Sequence, residues 1–197
     1  TYKCLGGLYL PWYETKKPKW FRDKWASNQL KYSDVQNLQS NEFASGGVLL
    51  IHKDLLVAHD GFNPKYGMHG THTWYGEETE LQQRIRKTGN QIAYDPKMII
   101  YHLVPTHKMR LGWQLSSSYQ MGKTFLQTAG YPYNIGSGFV ALGIGVMQIV
   151  LFVPMYLPLL LKQGYYIQNY IIDVLRKPLK WFGAFVSTVT KSFQIAD

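Results

Sequence analysis

Glu77-Glu-Thr-Glu-Leu-Gln-Gln-Arg-Ile-Arg-Lys-Thr88, closed by Gly89, is the stretch from which the fold is read. Its acids stand in the first turn and its bases in the last, the order a helix macrodipole favours. Leu81 and Ile85 fall four apart on one face, and Gly89 supplies the C-terminal stop. Upstream, Val48-Leu-Leu-Ile-His52 behind Gly46-Gly47 reads as a short strand. Asp54 as N-cap, the helical pattern Leu55–Ala58 and a terminal Gly61 follow it. Downstream, residues 92–96 and 98–103 read as two strands around a turn at Asp95-Pro96. The soluble part is therefore expected to be mixed α/β.

Working outward, 197 residues with 46% hydrophobic and 15% aromatic side chains exclude a disordered chain and a coiled coil. A net charge of +9 favours partners that carry negative charge: nucleic acid, anionic lipid or phosphorylated substrates. Nucleic acid is set aside because no recognised fold motif accompanies the charge. The single Cys4 excludes an intrachain disulfide framework, no Cys or His pair has metal-finger spacing, and a reducing compartment follows. The first twenty residues lack the order of a signal peptide, and Thr1 in place of an initiator Met leads to the expectation that the chain starts mid-protein.

Charge divides the chain. Residues 1 to 123 hold sixteen basic and ten acidic side chains, 124 to 161 hold none, and 162 to 197 hold five basic and two acidic. The densest apolar part of the uncharged run, 138–161, meets the length of about 20 residues needed to cross a bilayer. A core helix of a small domain is the alternative, but such a helix seldom needs more than about 12 residues without a polar face. Gly143, Gly145, Pro154 and Pro158 would kink a helix and allow a re-entrant or surface-lying element as well as a span. Basic residues flank both ends, so both flanks read as cytoplasmic, with Trp181 and Phe182 as interfacial anchors. The expected organisation is a domain over 1–125 and a membrane-associated region over 126–197.

Several groups have the chemistry of a site. Glu77, Glu78 and Glu80 complement a helix N-terminus; behind Trp74, Tyr75 and Gly76 a carboxylate there also has the geometry to accept a hydroxyl proton from a sugar. Gly46 and Gly47 either relieve crowding or let the backbone approach a ligand. His102, with Ile100 and Val104 on its side of a strand, reads as a core histidine; as a metal ligand it needs oxygen partners from elsewhere, since the chain has no Asp-x-Asp pair. His107-Lys-Met-Arg110 is a basic loop that suits a diphosphate. Residues 11–25 interleave bases with aromatics, a pattern compatible with sugar, single-stranded nucleic acid or a lipid interface.

Taken in order, Phe43-Ala-Ser-Gly-Gly47, Asp60-Gly-Phe62, Tyr75-Gly-Glu-Glu-Thr-Glu-Leu81, Gly89, Tyr94-Asp-Pro96, His102 and Arg110 resemble the second half of a family 2 glycosyltransferase with the Rossmann-like GT-A fold. The likeness covers about residues 43 to 125, and Leu5–Trp12 with Trp20-Phe21 looks like the exopolysaccharide branch, of the hormogonium-polysaccharide type.

The resemblance implies inverting transfer of a sugar from a nucleotide-sugar donor to a polysaccharide or lipid-linked acceptor, at the cytoplasmic face of a membrane. It makes Glu78 the general base with Glu77 in reserve, where the family usually has Asp after a Glu. It places Gly46, Gly47 and Trp74 on the acceptor side, and Arg110 and His107 at the diphosphate. His102 becomes a ligand to a divalent metal, Mg2+ or Mn2+, shared with the Asp-x-Asp of a preceding nucleotide-binding half. On that reading residues 1–197 are a fragment, inactive alone; the alternative is a non-catalytic, membrane-attached module that binds polysaccharide or anionic lipid.

Overall fold

The computed structural model describes residues 2–66, 68–69, 72–73 and 75–194. In chain order the elements are β1 (Cys4–Tyr13), β2 (Gln36–Asn37), β3 (Leu49–Ile51), α1 (Lys53–Ala58), β4 (Met68–His69), β5 (His72–Thr73), α2 (Glu77–Lys87), β6 (Ala93–Val104), α3 (Leu111–Thr128), α4 (Ile135–Tyr156) and α5 (Ile167–Gln194). The chain divides into two compact units. The first comprises residues 1–16, 22–65 and 77–105; the second comprises 17–21, 66–76 and 106–197.

The first unit is mixed α/β, built on a four-stranded sheet of order β2-β6-β1-β3. β1 and β6 run parallel over nearly their whole length, while β3 and β2 join antiparallel at the two edges. The expected pair of strands over 92–103 is one strand. The register against β1 passes from Gly7↔Asp95 to Leu8↔Ile99, so residues 96–98 form a bulge rather than a reversing turn. Two features make this work. The Asp95 carboxylate accepts the Lys97 amide at 2.8 Å, closing the bulge locally. Gly7 clears space for it, since a Cβ there would collide with Met98 and lie 2.8 Å from Val48. Pro11 is tolerated in β1 because β3 pairs only with residues 4–6, leaving Pro11 with one neighbouring strand.

The core of this unit gathers Cys4, Leu8, Leu38, Ala44, Leu55, Leu81, Ile85, Ile92 and Tyr94. Burial pushes the Cys4 thiol up to about 11, so it stays protonated and inert. α2 contributes the apolar face expected for it, and Gly89 ends it with φ +81°, a conformation that favours glycine. The short helix before it differs in its cap. His52 accepts the Asp54 amide through Nδ1 and is the N-cap, two residues before the Asp54 expected.

The second unit is helical. α5 lies between α3 and α4 and packs against both. Glycines set the spacing. A methyl placed on Gly183 would meet the Tyr119 carbonyl oxygen and come 3.1 Å from the Gly122 Cα, so α3 and α5 touch backbone to backbone. α4 begins with a capping box between Asn134 and Ser137 and continues past Pro154, giving way at Leu157–Leu161 to a tighter 3-10 turn. Trp181 and Phe182, expected as interfacial anchors, are half-buried in the helix packing. The Trp181 ring meets Phe125 edge-on at 5.2 Å, and Phe182 fills the groove left by Gly145, both within the helix packing. The Lys180 ammonium sits 3.5 Å above the Phe125 ring, and its burial lowers its pKa to about 8.

Replacing Gly183 with Val is expected to cost about 3 kcal/mol or more, the upper part of the overpacking range, because backbone carbonyl and not a movable side chain blocks the space. Thermal unfolding followed by helical circular dichroism measures it. The control is Gly143→Ala, whose added methyl meets nothing within 4 Å and should leave the transition in place or raise it slightly.

Candidate functional site

The three carboxylates at the start of α2 separate by environment. Glu80 is committed to structure: its carboxylate takes a two-pronged bond from Arg84, Nε at 2.7 Å and Nη2 at 2.9 Å. The same guanidinium reaches the carbonyls of His59 and, at 2.8 Å, Gly61, so it also ties down the end of α1. Glu77 and Glu78 are left at the mouth of the helix.

Glu78 faces the Gly46-Gly47 turn. A Cβ built on Gly46 would lie 3.5 Å from the Glu78 Cδ, an ordinary contact distance, so the Gly46 backbone lies close against the carboxyl. Ser45 caps the turn by accepting the Gly47 amide at 3.4 Å. What holds the turn against α2 is Gln82, which is 0% exposed. Its Oε1 accepts the Ala44 amide at 2.8 Å, and its Nε2 donates to the Ala44 carbonyl at 2.9 Å and the Glu78 carbonyl at 3.0 Å. Both amide hydrogens and the side-chain carbonyl are therefore satisfied out of water, which is the condition for a buried amide to stabilise. Sequence reasoning misses Gln82 because it is one polar residue among many on this helix. The available signal is its place beside Leu81 and ahead of Ile85, on the margin of the buried stripe.

Burial raises the Glu78 pKa above the ordinary glutamate value, and repulsion from Glu77 adds to it. The Gly46 amide and the residue's own backbone amide bond the carboxylate and oppose the shift without cancelling it. A half-buried carboxyl with a raised pKa beside a glycine turn has the properties of a proton acceptor for a hydroxyl.

The remaining predicted site residues are placed as follows. His102 lies in β6, paired with Pro11, and is exposed rather than part of the core; its ring tilts against Tyr9 at 5.3 Å between centroids. Its neighbours Ile100 and Leu103 are exposed too, because this half of the sheet is uncovered within its unit. In the second unit, His107 stands in a 3-10 turn (Thr106–Met109) that delivers the chain into α3, where Arg110 is the N-cap residue and its amide bonds the His107 carbonyl at 3.2 Å. Both side chains are exposed, and the His107 ring meets Trp113 edge-on at 6.4 Å. Gly46 is brought to Glu78, a Cβ on Gly47 would meet only the Ser45 hydroxyl within 4 Å, and Trp74 lies outside the described residues. Among the described residues no three His, Cys, Asp or Glu side chains cluster to hold a metal, so His102 offers one imidazole at most.

Two outcomes follow from this arrangement. Gln82→Leu strands both polar groups of Ala44 and is expected to destabilise the first unit by about 2–5 kcal/mol, read from denaturant unfolding. Because the folded state raises the Glu78 pKa, that group's stabilisation is complete below the ordinary glutamate range and is lost as pH rises through the raised value. Glu78→Gln should therefore raise the melting temperature at pH 7, and the gain should vanish in acid. Comparison with protein-family models, curated proteins and solved structures finds no match to this chain.

Proposed function

We propose that this chain is the acceptor-activating, membrane-attached part of an inverting glycosyltransferase with a GT-A fold, acting in polysaccharide or glycolipid synthesis. The observation that carries the reading is Glu78: a half-buried carboxyl of raised pKa at a helix mouth, set against a glycine turn. The ordered motifs of residues 43–110 support the same assignment by resemblance.

In the proposed reaction the acceptor hydroxyl gives its proton to Glu78 as its oxygen bonds to the anomeric carbon from the face opposite the leaving group. The bond from that carbon to the nucleotide diphosphate breaks, and the configuration inverts. Glu77 keeps Glu78 basic by repulsion and is the reserve base. By resemblance, Gly46, Gly47 and Trp74 belong to the acceptor side, and Arg110 and His107 are the basic residues assigned to the diphosphate. A divalent metal belongs to this reading through a donor half bearing an Asp-x-Asp pair, with His102 as one ligand; the described residues do not form a metal site themselves, and no step is assigned to it. The apolar helix α4 supports membrane attachment, and a nucleotide-sugar donor places the site on the cytoplasmic face. Only 6% of its most apolar stretch is buried, unlike a helix in a soluble core.

The test is Glu78→Gln in the complete polypeptide that carries this chain, assayed in membranes with labelled nucleotide sugar. Loss of the base is expected to lower kcat by about 10²- to 10⁴-fold while donor binding persists. Transfer at the parental rate would remove Glu78 from the chemistry and leave the non-catalytic binding module as the better reading.

A further inference from the structure

Membrane attachment, part of the function proposed above, leaves open whether the apolar helix crosses the bilayer or lies on it, and the helix packing answers this. α4 with its 3-10 extension covers Ile135–Leu161, 27 residues, or about 40 Å at helical rise, long enough to span. Length is therefore not decisive, and the neighbours of the helix decide.

α5 runs antiparallel along α4. Gly138 packs against Thr188 and Phe185, Gly145 against Phe182, and the Tyr170 hydroxyl donates to the Val153 carbonyl at 3.3 Å. Between the last two contacts α5 carries Asp173, Arg176, Lys177 and Lys180. These residues stand level with 145–153, the middle of the apolar run. Lys177 is exposed there, with its ammonium 5.7 Å from the Phe152 ring. At nearly the same level α3 crosses α5 at Gly122 and Gly183, next to Lys123. A spanning α4 would draw Lys123, Lys177 and Lys180 to the bilayer centre, where ionised side chains are least tolerated and too far from either headgroup layer to snorkel.

The outer side of α4 has the opposite character. Phe139, Val146, Val150 and Leu157 recur at helical spacing along one side and are all exposed, Val150 at 66%. No charged residue interrupts this side from 124 to 161, while five bases and one acid lie on 162–194. A large continuous apolar face backed by cationic neighbours fits a surface of anionic phospholipid, with acyl chains on one side and headgroup phosphates beside the lysines. We infer that α4 docks lengthwise in one leaflet of an anionic bilayer, its outer face among the acyl chains, and does not cross to the other side.

Nitroxide labels at Phe139→Cys, Val150→Cys and Leu157→Cys, in the full chain with Cys4→Ala, test this on vesicles of phosphatidylcholine and phosphatidylglycerol. The positions share one helix side and extend over about 27 Å of axis, so orientation sets their relative depths. Oxygen against nickel-chelate accessibility is expected to give all three the same shallow depth within one leaflet. A label at Lys177→Cys should report the headgroup region. A maximum depth at residue 150, falling to the surface at 139 and 157, would overturn the in-plane docking while preserving membrane attachment. Failure of the labelled chain to float with vesicles, its helical circular dichroism being intact, would overturn membrane attachment itself.

Discussion

A single carboxamide governs the candidate site. Gln82 is closed off from water and gives both its donors and its carbonyl to Ala44 and to the Glu78 carbonyl. A buried amide left half-satisfied would cost more than its bonds return, so the loop has one admissible position on α2. That position brings the Gly46 amide to the Glu78 carboxyl and keeps a side chain away from it. Gly6 belongs to the same constraint: a Cβ on it would run into Ala44, so the central strand admits the loop only because residue 6 is glycine. Sheet, loop and helix thus meet through small residues and one amide, and the raised pKa of Glu78 is a consequence of their fit.

The second unit uses small residues for a different end. Gly122, Gly183, Gly138 and Gly145 remove side chains where helices touch, and α5 is held closely between its neighbours. Close packing turns one side of α5 toward protein and leaves the apolar side of α4 largely exposed. Position in the packing, rather than hydrophobicity by itself, therefore determines what α4 can do at a membrane.

Much of this is legible in the chain. The boundaries of α2 follow from charge order, the Leu81–Ile85 spacing and Gly89, all local signals that tertiary packing has no reason to override. The mixed α/β character of the first unit and the long apolar helix of the second are equally plain. Other features depend on partners distant in sequence. Asp95-Pro96 carries turn chemistry, yet β1 pairs on both sides of it in the same direction, and only the clearance at Gly7 turns it into a bulge. His102 alternates correctly for a core position, but that end of the sheet lies uncovered within its unit. Trp181 and Phe182 have the composition of membrane anchors, and their places beside Phe125 and Gly145 are set by helix packing that the sequence does not display. Glu78 stands out from motif order, whereas the residue that positions its surroundings, Gln82, has no composition signal of its own.

Everything proposed for the site depends on the Gln82-clamped turn holding the Glu78 carboxyl half-buried with its pKa above the usual glutamate range. Carbon-13 NMR titration of the Glu78 side-chain carboxyl, in the parent chain and in a Gln82→Glu variant that keeps shape but replaces the donor to Ala44 with an acceptor, measures this directly. The parent carboxyl is expected to titrate above an ordinary glutamate, about 4.3, and to shift once the clamp is broken. A parent Glu78 titrating at or below that ordinary value would contradict the account.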